Sequence, residues 1–214
     1  MTKEEILNFL EKELIKEKQI SKLSLQLGIS SLELLGYIRE LKNKGINISY
    51  YEKDNVFYIE ENLDETTKIA VISDLRIGSK HEQISILNDM YRKFSNEKIK
   101  YVIITGNLLE GIYSGKDALE FGNSLITNDG VSQAKHFVEY FPRVEGIKTL
   151  FITGKTDHLC SKELNVGTFI EKNRDDMKYL GAKSATIYFN NVRIKVESVA
   201  NGNAYTVAYP PQKY

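Results

Sequence analysis

Three short β-branched segments constrain the fold of this chain more than any other feature. They cover residues 68–73 (KIAVIS), 100–105 (KYVIIT) and 148–153 (KTLFIT), and longer segments with apolar residues at helical spacing separate them. A continuous apolar run of this length is typical of a strand that is buried on both faces of a parallel sheet. Because these strands alternate with helices, the sequence predicts an α/β layer fold.

Helices and a hairpin complete this part of the predicted fold. One face of the helix expected after the first strand carries five apolar residues, Ile84, Leu87, Met90, Tyr91 and Phe94. A second helix is predicted over residues 131–141. Further on, residues 185–189 and 192–197 flank Asn190 and Asn191, which is the pattern of a hairpin on a second sheet.

The N-terminal third of the chain follows a different pattern. Helical spacing predicts helices over residues 3–17 and 21–27, and a third helix that starts after an N-cap at Ser30 or Ser31 and ends at Gly45. The next residues alternate apolar and polar side chains around a Lys-Asp-Asn turn, which predicts a hairpin. Three helices and a hairpin indicate a winged helix-turn-helix, and the turn sequence LGIS resembles the turn of that motif.

A small polar cluster follows each of the three predicted parallel strands. The clusters are SDLR at residues 73–76, GNLLE at 106–110 and GKTD at 154–157. Sites in open α/β sheets are built at the carboxyl ends of the strands. We therefore expect the three clusters to converge.

The order and spacing of these clusters resemble the motifs of the calcineurin-like metallophosphoesterases. Those motifs are D-x-H, G-D-x-x-D and G-N-H-D/E, followed by a lone His and by G-H-x-H. The stretches IGSKHEQ, GIKTLFITG and NGNAY also look like the DNA-repair-exonuclease-type members of that family. The resemblance implies a layered β-sandwich flanked by helices over residues 67–214. The winged helix domain predicted from its helices and hairpin covers residues 1–62. It also implies a site where two metal ions clamp a phosphate.

This sequence departs from the family at most of the ligand positions. The seven matching positions are Asp74, Arg76, Asn107, Glu110, Lys155, Thr156 and Asp157. Arg76 stands in place of a His, Asn107 in place of the bridging Asp, and Lys155 and Thr156 in place of the Asn and His of G-N-H. No His follows His158, so Val199 or a neighbour takes the place of the lone His, and G-H-x-H is absent. The resemblance thus predicts neither metal nor other cofactor, and no catalytic residue.

Cations at two former ligand positions suggest what replaced the metal. Arg76 or Lys155 is expected within ion-pair distance of Asp74 or Asp157, because carboxylates in a crevice need partners. Two alternatives remain open. The loops carry exposed charges without function, or Arg76 and Lys155 form a cradle for a phosphate or a nucleic acid.

The charge balance limits the partners that the chain can bind. The whole sequence has 29 Lys and Arg against 29 Asp and Glu, which excludes a strongly basic nucleic-acid binder. Residues 1–63 have nine basic and eleven acidic residues, a net charge of −2. The candidate DNA contacts of the winged helix are Ser30, Ser31, Glu33, Tyr37, Arg39, Lys42, Lys44 and Lys53. Contact with another protein, or formation of a homodimer, is the alternative use of this domain.

These observations lead to a functional expectation with two alternatives. The chain is expected to be a catalytically inactive phosphoesterase-like protein that acts in DNA binding, on double-stranded DNA, or as an interaction scaffold or regulator. The alternatives are an active metal-dependent phosphoesterase or nuclease with a rearranged site, and a transcriptional regulator whose α/β domain senses a ligand or sets the dimer. A cytoplasmic location is expected because Cys160 is the only cysteine and the first residues are acidic. No apolar run reaches the ~20 residues of a membrane helix, so no membrane partner is expected.

Overall fold

The structure, a computed structural model, describes residues 1–51, 56–59, 67–189 and 192–198. Within these ranges the chain forms eight α-helices and nine strands, and the mixed α/β class predicted from the sequence is confirmed. The helices are α1 (Lys3–Glu13), α2 (Ile20–Leu27), α3 (Ser31–Asn43), α4 (Ile84–Asn96), α5 (Lys116–Phe121), α6 (Gly130–Tyr140), α7 (Lys155–Leu159) and α8 (Val166–Asn173). The strands are β1 (Lys18–Gln19), β2 (Ile48–Tyr51), β3 (Val56–Ile59), β4 (Ile69–Ile72), β5 (Tyr101–Ile104), β6 (Lys148–Thr153), β7 (Met177–Ala182), β8 (Ser184–Phe189) and β9 (Val192–Glu197).

The chain divides into two compact units. Among the described residues, the N-terminal unit comprises residues 1–51, 56–59, 186–189 and 192–195, and the α/β unit comprises residues 67–185 and 196–198. Each unit has its own hydrophobic core. None of the helices in the described ranges has the length and the apolar composition that crossing a lipid bilayer requires.

The α/β unit contains a four-stranded parallel sheet in the order β4-β5-β6-β7. The three strands predicted from the sequence are confirmed, and Ile104 of β5 lies between Ile72 of β4 and Phe151 of β6. Strand β7 was not predicted, because Lys178 and Gly181 interrupt its apolar residues. The parallel register brings the carboxyl ends of β4, β5 and β6 to one edge of the sheet.

Helices bury their apolar faces against the core of this unit. Leu87 and Tyr91 of α4 are buried, as their helical spacing predicts, and the Tyr91 hydroxyl hydrogen-bonds Thr149 at 2.9 Å. The rings of Phe137 and Phe141 stack with centroids 4.7 Å apart. These contacts hold the helices against the parallel sheet, and the polar clusters follow the strands of that sheet.

The N-terminal unit packs three helices against a three-stranded antiparallel sheet in the order β1-β3-β2. The helix predicted over residues 3–17 ends earlier, at Glu13, because Lys18 and Gln19 pair with β3 instead of continuing the helix. The predicted N-cap of α3 is confirmed at Ser30, whose hydroxyl accepts a hydrogen bond from the Glu33 backbone. Buried leucines from all three helices form the core of this unit.

The predicted C-terminal hairpin is confirmed as the two-stranded sheet β8-β9. Residues 186–189 and 192–195 cluster with the described residues of the N-terminal unit, which the sequence pattern did not indicate. Tyr188 stacks on Tyr58 with ring centroids 3.6 Å apart, and its hydroxyl donates to Glu17 at 3.0 Å. Arg193 also pairs with Glu17, at 3.4 Å. Ring stacking and one shared carboxylate therefore hold the hairpin in the N-terminal unit.

Candidate functional site

The polar clusters that follow β4, β5 and β6 converge, as the sequence predicted. Asn107 connects them: its Nδ2 donates to Asp74 Oδ1 at 2.7 Å. Its Oδ1 accepts from the backbone N–H of Thr156 at 3.1 Å and from the Thr156 hydroxyl at 3.2 Å. A single amide side chain thus joins the ends of three strands.

The backbone at these loops adopts a conformation that side chains disfavour. Asp74, Arg76 and Asn107 have φ values of 53°, 52° and 55°, in the left-handed region. Such residues cost roughly 1–3 kcal/mol each and persist only where surrounding contacts hold them. Backbone hydrogen bonds supply those contacts, from Asp74 N to Gly106 O and from Arg76 N to Asn107 O, both at 3.2 Å. The loops are therefore locked together by main chain as well as by side chains.

Gly154 makes this close approach possible. A Cβ atom at position 154 would lie 2.5 Å from Asn107 Oδ1 and 2.7 Å from the Asn107 nitrogen. Both distances are shorter than any normal contact with carbon. Only glycine leaves room for the Asn107 amide at the end of β6.

Asp157 holds the same loops together from inside the protein. Its side chain is buried, and its Oδ1 accepts from the Leu109 N–H at 2.8 Å while its Oδ2 accepts from the Gly154 N–H at 2.7 Å. Burial raises the pKa of Asp157 to about 6, and the backbone N–H groups oppose that rise. Both carboxylate oxygens of Asp157 have backbone partners, which gives this residue a structural role.

The structure corrects the expected ion pair. The four residues concerned are all described, and neither Arg76 nor Lys155 pairs with Asp74 or Asp157. Arg76 instead pairs with Glu110, with 3.4 Å between Nε and Oε2. Both oxygens of Asp157 accept from backbone N–H groups, and Asp74 is exposed to water, so neither acid needs a cation. The Glu110 side chain is only 11% exposed, and a buried carboxylate requires a partner.

Glu110 therefore has two side-chain partners. The Tyr113 hydroxyl donates to its Oε1 at 2.8 Å, opposite the contact with Arg76. Burial, and then the Glu110 carboxylate, raise the pKa of Tyr113. Lys155 is exposed and makes no ion pair with any residue that the structure describes.

A cavity of about 470 Å³ opens beside this network. Its charged lining consists of two cations, Arg76 and Lys155, and three carboxylates, Asp74, Glu110 and Asp117. An excess of positive charge favours phosphate binding, and here the acids outnumber the cations. The lining charges thus do not favour the cradle for a phosphate or a nucleic acid.

The acids at the site do not form a metal-binding cluster. Within the described ranges, no group of three or more His, Cys, Asp or Glu side chains is arranged to hold a metal ion. Asp74, Glu110 and Asp157 converge on the loops, but their oxygens accept from different protein groups. Val199, the suggested place of the lone His, lies outside the described residues.

The candidate DNA contacts of the N-terminal unit divide into two groups. Ser30 caps α3, Ser31 hydrogen-bonds Ser24 at 3.3 Å, and Tyr37 packs partly against the core. These side chains already have roles within the unit. Glu33, Arg39, Lys42 and Lys44 are exposed, and Lys53 lies outside the described residues.

Sequence reasoning missed three exposed leucines on α2 and α3. Leu25 is 85% exposed, Leu32 is 81% exposed and Leu35 is 39% exposed. The signal was present in the spacing, since Leu32 and Leu35 lie outside the stripe formed by the buried residues Leu34 and Ile38. Large apolar side chains on this helix surface are informative where they are contiguous.

Comparison of the sequence with models of protein families and with curated proteins finds no match in either. The function is therefore inferred from the residues of the site and their geometry.

Proposed function

We propose that this protein is a catalytically inactive phosphoesterase-like protein that acts as an interaction scaffold or regulator. In this proposal the N-terminal unit is a winged helix, and the α/β unit is a calcineurin-like domain with degenerate metal motifs. One observation carries the proposal. The Asn107 amide donates to Asp74 and accepts from Thr156, at the position where the resemblance expects the bridging carboxylate.

The chemistry of an amide explains the importance of Asn107. A bridging carboxylate carries negative charge to two cations, whereas an amide is neutral and presents an N–H donor to its neighbour. Here that donor occupies Asp74, the one acid retained from D-x-H. The Arg76 guanidinium beside Glu110 adds a fixed positive charge, which opposes a metal cation at the same edge. The side chains at this edge thus stabilise one another.

The N-terminal unit supports the winged helix assignment by its order of elements. Helix α2 ends at Gly28, which has a left-handed φ of 65°, and α3 starts three residues later against the antiparallel sheet. Leu25, Leu32 and Leu35 are exposed on its helices, and residues 1–63 have a net negative charge. Both features favour contact with protein over readout of DNA bases.

DNA binding is the second candidate, and a specific observation favours it. Arg39, Lys42 and Lys44 are exposed on or just after α3 and have no ion-pair partner among the residues that the structure describes. Three such cations are available for contacts with phosphates. If they bind duplex DNA, affinity falls steeply with salt because counterions are released, and the double variant Arg39→Ala/Lys42→Ala weakens it further.

Hydrolysis of bis-p-nitrophenyl phosphate in the presence of Mn²⁺ tests the proposal. We expect no metal-dependent turnover above the rate without protein. The matched variants are Asp74→Ala at the site and Glu139→Ala, which removes an exposed acid of α6 far along the chain. Turnover that disappears in Asp74→Ala and survives in Glu139→Ala would overturn the proposal and would establish the alternative of a rearranged active site.

A further inference from the structure

A second cavity, of about 550 Å³, lies next to the first and shares Asp74, Arg76 and Glu110 with it. The rest of its wall comes from β4, from the loop after β4 and from α4, and its surface is mainly apolar. The apolar side chains of the wall are Ile72, Leu75, Ile86, Leu87 and Met90. A cavity of ~300–1,000 Å³ that combines apolar walls with a few polar groups is the usual form of a small-molecule site.

Helix α4 presents to this cavity two apolar side chains that the core does not use. Ile86 is 52% exposed, and the other exposed positions of α4 are polar or charged. The core contacts of α4 come from Leu87, Tyr91 and Phe94. Neither Ile86 nor Met90 belongs to that core. Because apolar surface is more stable away from water, this part of the wall favours a ligand that covers it.

The cavity also has one negative charge that no cation of its wall offsets. The Arg76 guanidinium pairs with Glu110, so those two charges offset each other. Asp74 Oδ1 accepts from the neutral Asn107 amide, and Asp74 Oδ2 has no hydrogen-bond partner among the residues that the structure describes. His81, the other titratable residue of the wall, is exposed, and an exposed imidazole is neutral at pH 8. The Asp74 carboxylate is therefore available to a cation.

A single carboxylate suits an organic cation better than a metal ion. A metal ion requires several ligand atoms, and in the described part of the chain no group of three or more acids, His or Cys could supply them. An ammonium group needs only one carboxylate for a charge-assisted hydrogen bond, and its remaining N–H donors can bind water. The hydrocarbon attached to the ammonium group then lies against the apolar wall.

We propose that this cavity binds a small organic cation, whose ammonium group pairs with Asp74 Oδ2 and whose apolar body contacts Ile86 and Met90. Asn107 keeps its hydrogen bond to the other oxygen of Asp74, so binding leaves the strand-end loops joined. This inference rests on the proposed function of the protein as a regulator, and it names the class of ligand that the α/β unit senses.

Three small molecules with the same phenyl ring test the proposal at pH 8. They are 2-phenylethylamine, which is protonated as a lysine side chain is, the neutral 2-phenylethanol, and the anion 3-phenylpropionate. The readout is the NMR signal of the methionine methyl groups, labelled with ¹³C in the full chain, which has three methionines. Met90 lines the cavity, and Met90→Leu assigns its signal. Met177, buried in the core, and Met1, exposed in the N-terminal unit, are internal controls.

We expect the amine to shift the Met90 signal with a Kd about five-fold below that of the alcohol, and the carboxylate to bind most weakly. The signals of Met1 and Met177 should not move. Tighter binding of 3-phenylpropionate would overturn the proposal, because Arg76 would then be the group that recognises the ligand. Equal affinity for the amine and the alcohol, equal shifts of all three methyl groups, or no shift of Met90 would also overturn it.

Two variants separate the charge from the apolar wall. Asp74→Asn removes the charge, keeps an oxygen for the Asn107 amide and suits the left-handed backbone, so we expect it to fold. Its preference for the amine over the alcohol should fall below two-fold, whereas Asp89→Asn, which changes an exposed acid of α4 outside the cavity, should keep that preference. Ile86→Ser should weaken binding of all three molecules about three-fold. Ile126→Ser, at a residue that is 50% exposed and outside the cavity, should leave binding unchanged.

A preference for the amine that survives Asp74→Asn would overturn the assignment of Asp74, and unchanged binding by Ile86→Ser would overturn the assignment of the apolar wall. The hydrolysis assay with Mn²⁺ distinguishes this inference from the proposed function. A protein that neither binds the amine nor hydrolyses the phosphodiester refutes the inference alone, and turnover that depends on Asp74 refutes the proposed function.

Discussion

The strand-end network of the α/β unit and the exposed face of α3, which carries Leu32 and Arg39, differ in what their side chains contact. In the strand-end network, Asp74, Asn107, Thr156 and Asp157 are joined by hydrogen bonds of 2.7–3.2 Å to each other or to the backbone. On α3, the cation Arg39 and the apolar side chain of Leu32 face solvent. The comparison separates polar groups that stabilise a fold from groups that are available to a partner. Substitutions should lower the stability of the fold in the first region and have little effect on it, or raise it slightly, in the second.

The largest expected effect is the pH dependence that Asp157 contributes. Burial raises its pKa from 3.8 to about 6, so the folded protein holds this proton more tightly than the unfolded chain does. The carboxyl group therefore favours folding at pH below about 4, and this contribution is lost as the pH rises through 6. A shift of about two pKa units corresponds to about 3 kcal/mol of unfolding free energy.

Urea unfolding of the unmodified protein and of Asp157→Asn at a series of pH values measures this contribution. The variant cannot titrate at this position, so we expect the stability difference between the two proteins to narrow as the pH rises from 4 to 7. Asp157→Asn is also expected to be less stable at low pH, because its NH₂ group faces a backbone N–H donor. Parallel pH profiles would show that burial does not raise the pKa of Asp157.

Gly154→Ala should have the next largest effect. The new Cβ would overlap the Asn107 amide, and overpacking of this kind costs about 2 kcal/mol, measured as a lower midpoint of thermal unfolding. Gly36→Ala is the matched change on α3. The added Cβ atom meets no atom within 4 Å, and we expect this change to raise the unfolding free energy by about 0.5–1 kcal/mol. Equal effects of the two changes would contradict the contrast between the two regions.

A smaller effect is expected for the cations near the strand-end network. The Arg76 side chain is 41% exposed and its contact with Glu110 is long, so Arg76→Ala should cost at most about 1 kcal/mol. Lys155→Ala, an exposed site, should change the unfolding free energy by less than about 0.5 kcal/mol. Chemical denaturation provides both values. A larger loss of unfolding free energy in Lys155→Ala than in Arg76→Ala would contradict this account, because Lys155 would then make the more stabilising contact.

The smallest effect on folding is expected for Leu32→Glu. Its side chain is 81% exposed, and its replacement should alter the unfolding free energy of the monomer by less than about 0.5 kcal/mol. Circular dichroism at low protein concentration checks this expectation. A large destabilisation would mean that Leu32 packs within its own chain.

The sequence predicted the regular parts of the fold because their apolar spacing is governed by local rules. Strands β4, β5 and β6 and the N-cap at Ser30 follow from β-branched runs and from the chemistry of a hydroxyl group. Strand β7 lacks a continuous apolar run, and the end of α1 is set by pairing with a strand that is distant in sequence. Secondary-structure propensity alone predicts neither strand β7 nor the end of α1, because tertiary contacts determine both.

The sequence predicted where the candidate site lies, but it predicted only some of the contacts between the site's side chains. The order of the strands places Asp74, Asn107 and Thr156 at one edge, which the spacing indicated. The partner of Arg76 depended on the burial of each carboxylate: Asp157 is satisfied by backbone N–H groups, Asp74 is exposed to water, and Glu110 is buried beside Arg76. Such a competition is settled by loop geometry at the scale of one ångström, and a sequence pattern does not contain it.

Titration calorimetry with Mn²⁺ tests the central claim, that the Asn107 amide occupies the place of a bridging carboxylate. The unmodified protein and Asn107→Asp are compared, with Glu139→Ala as the control for surface acids. Asn107→Asp sets a second carboxylate against Asp74, an arrangement that oxygen-preferring cations bind. The account predicts no heat of binding for the unmodified protein and for Glu139→Ala, and a measurable heat for Asn107→Asp. Mn²⁺ binding by the unmodified protein that Asp74→Ala abolishes would contradict it.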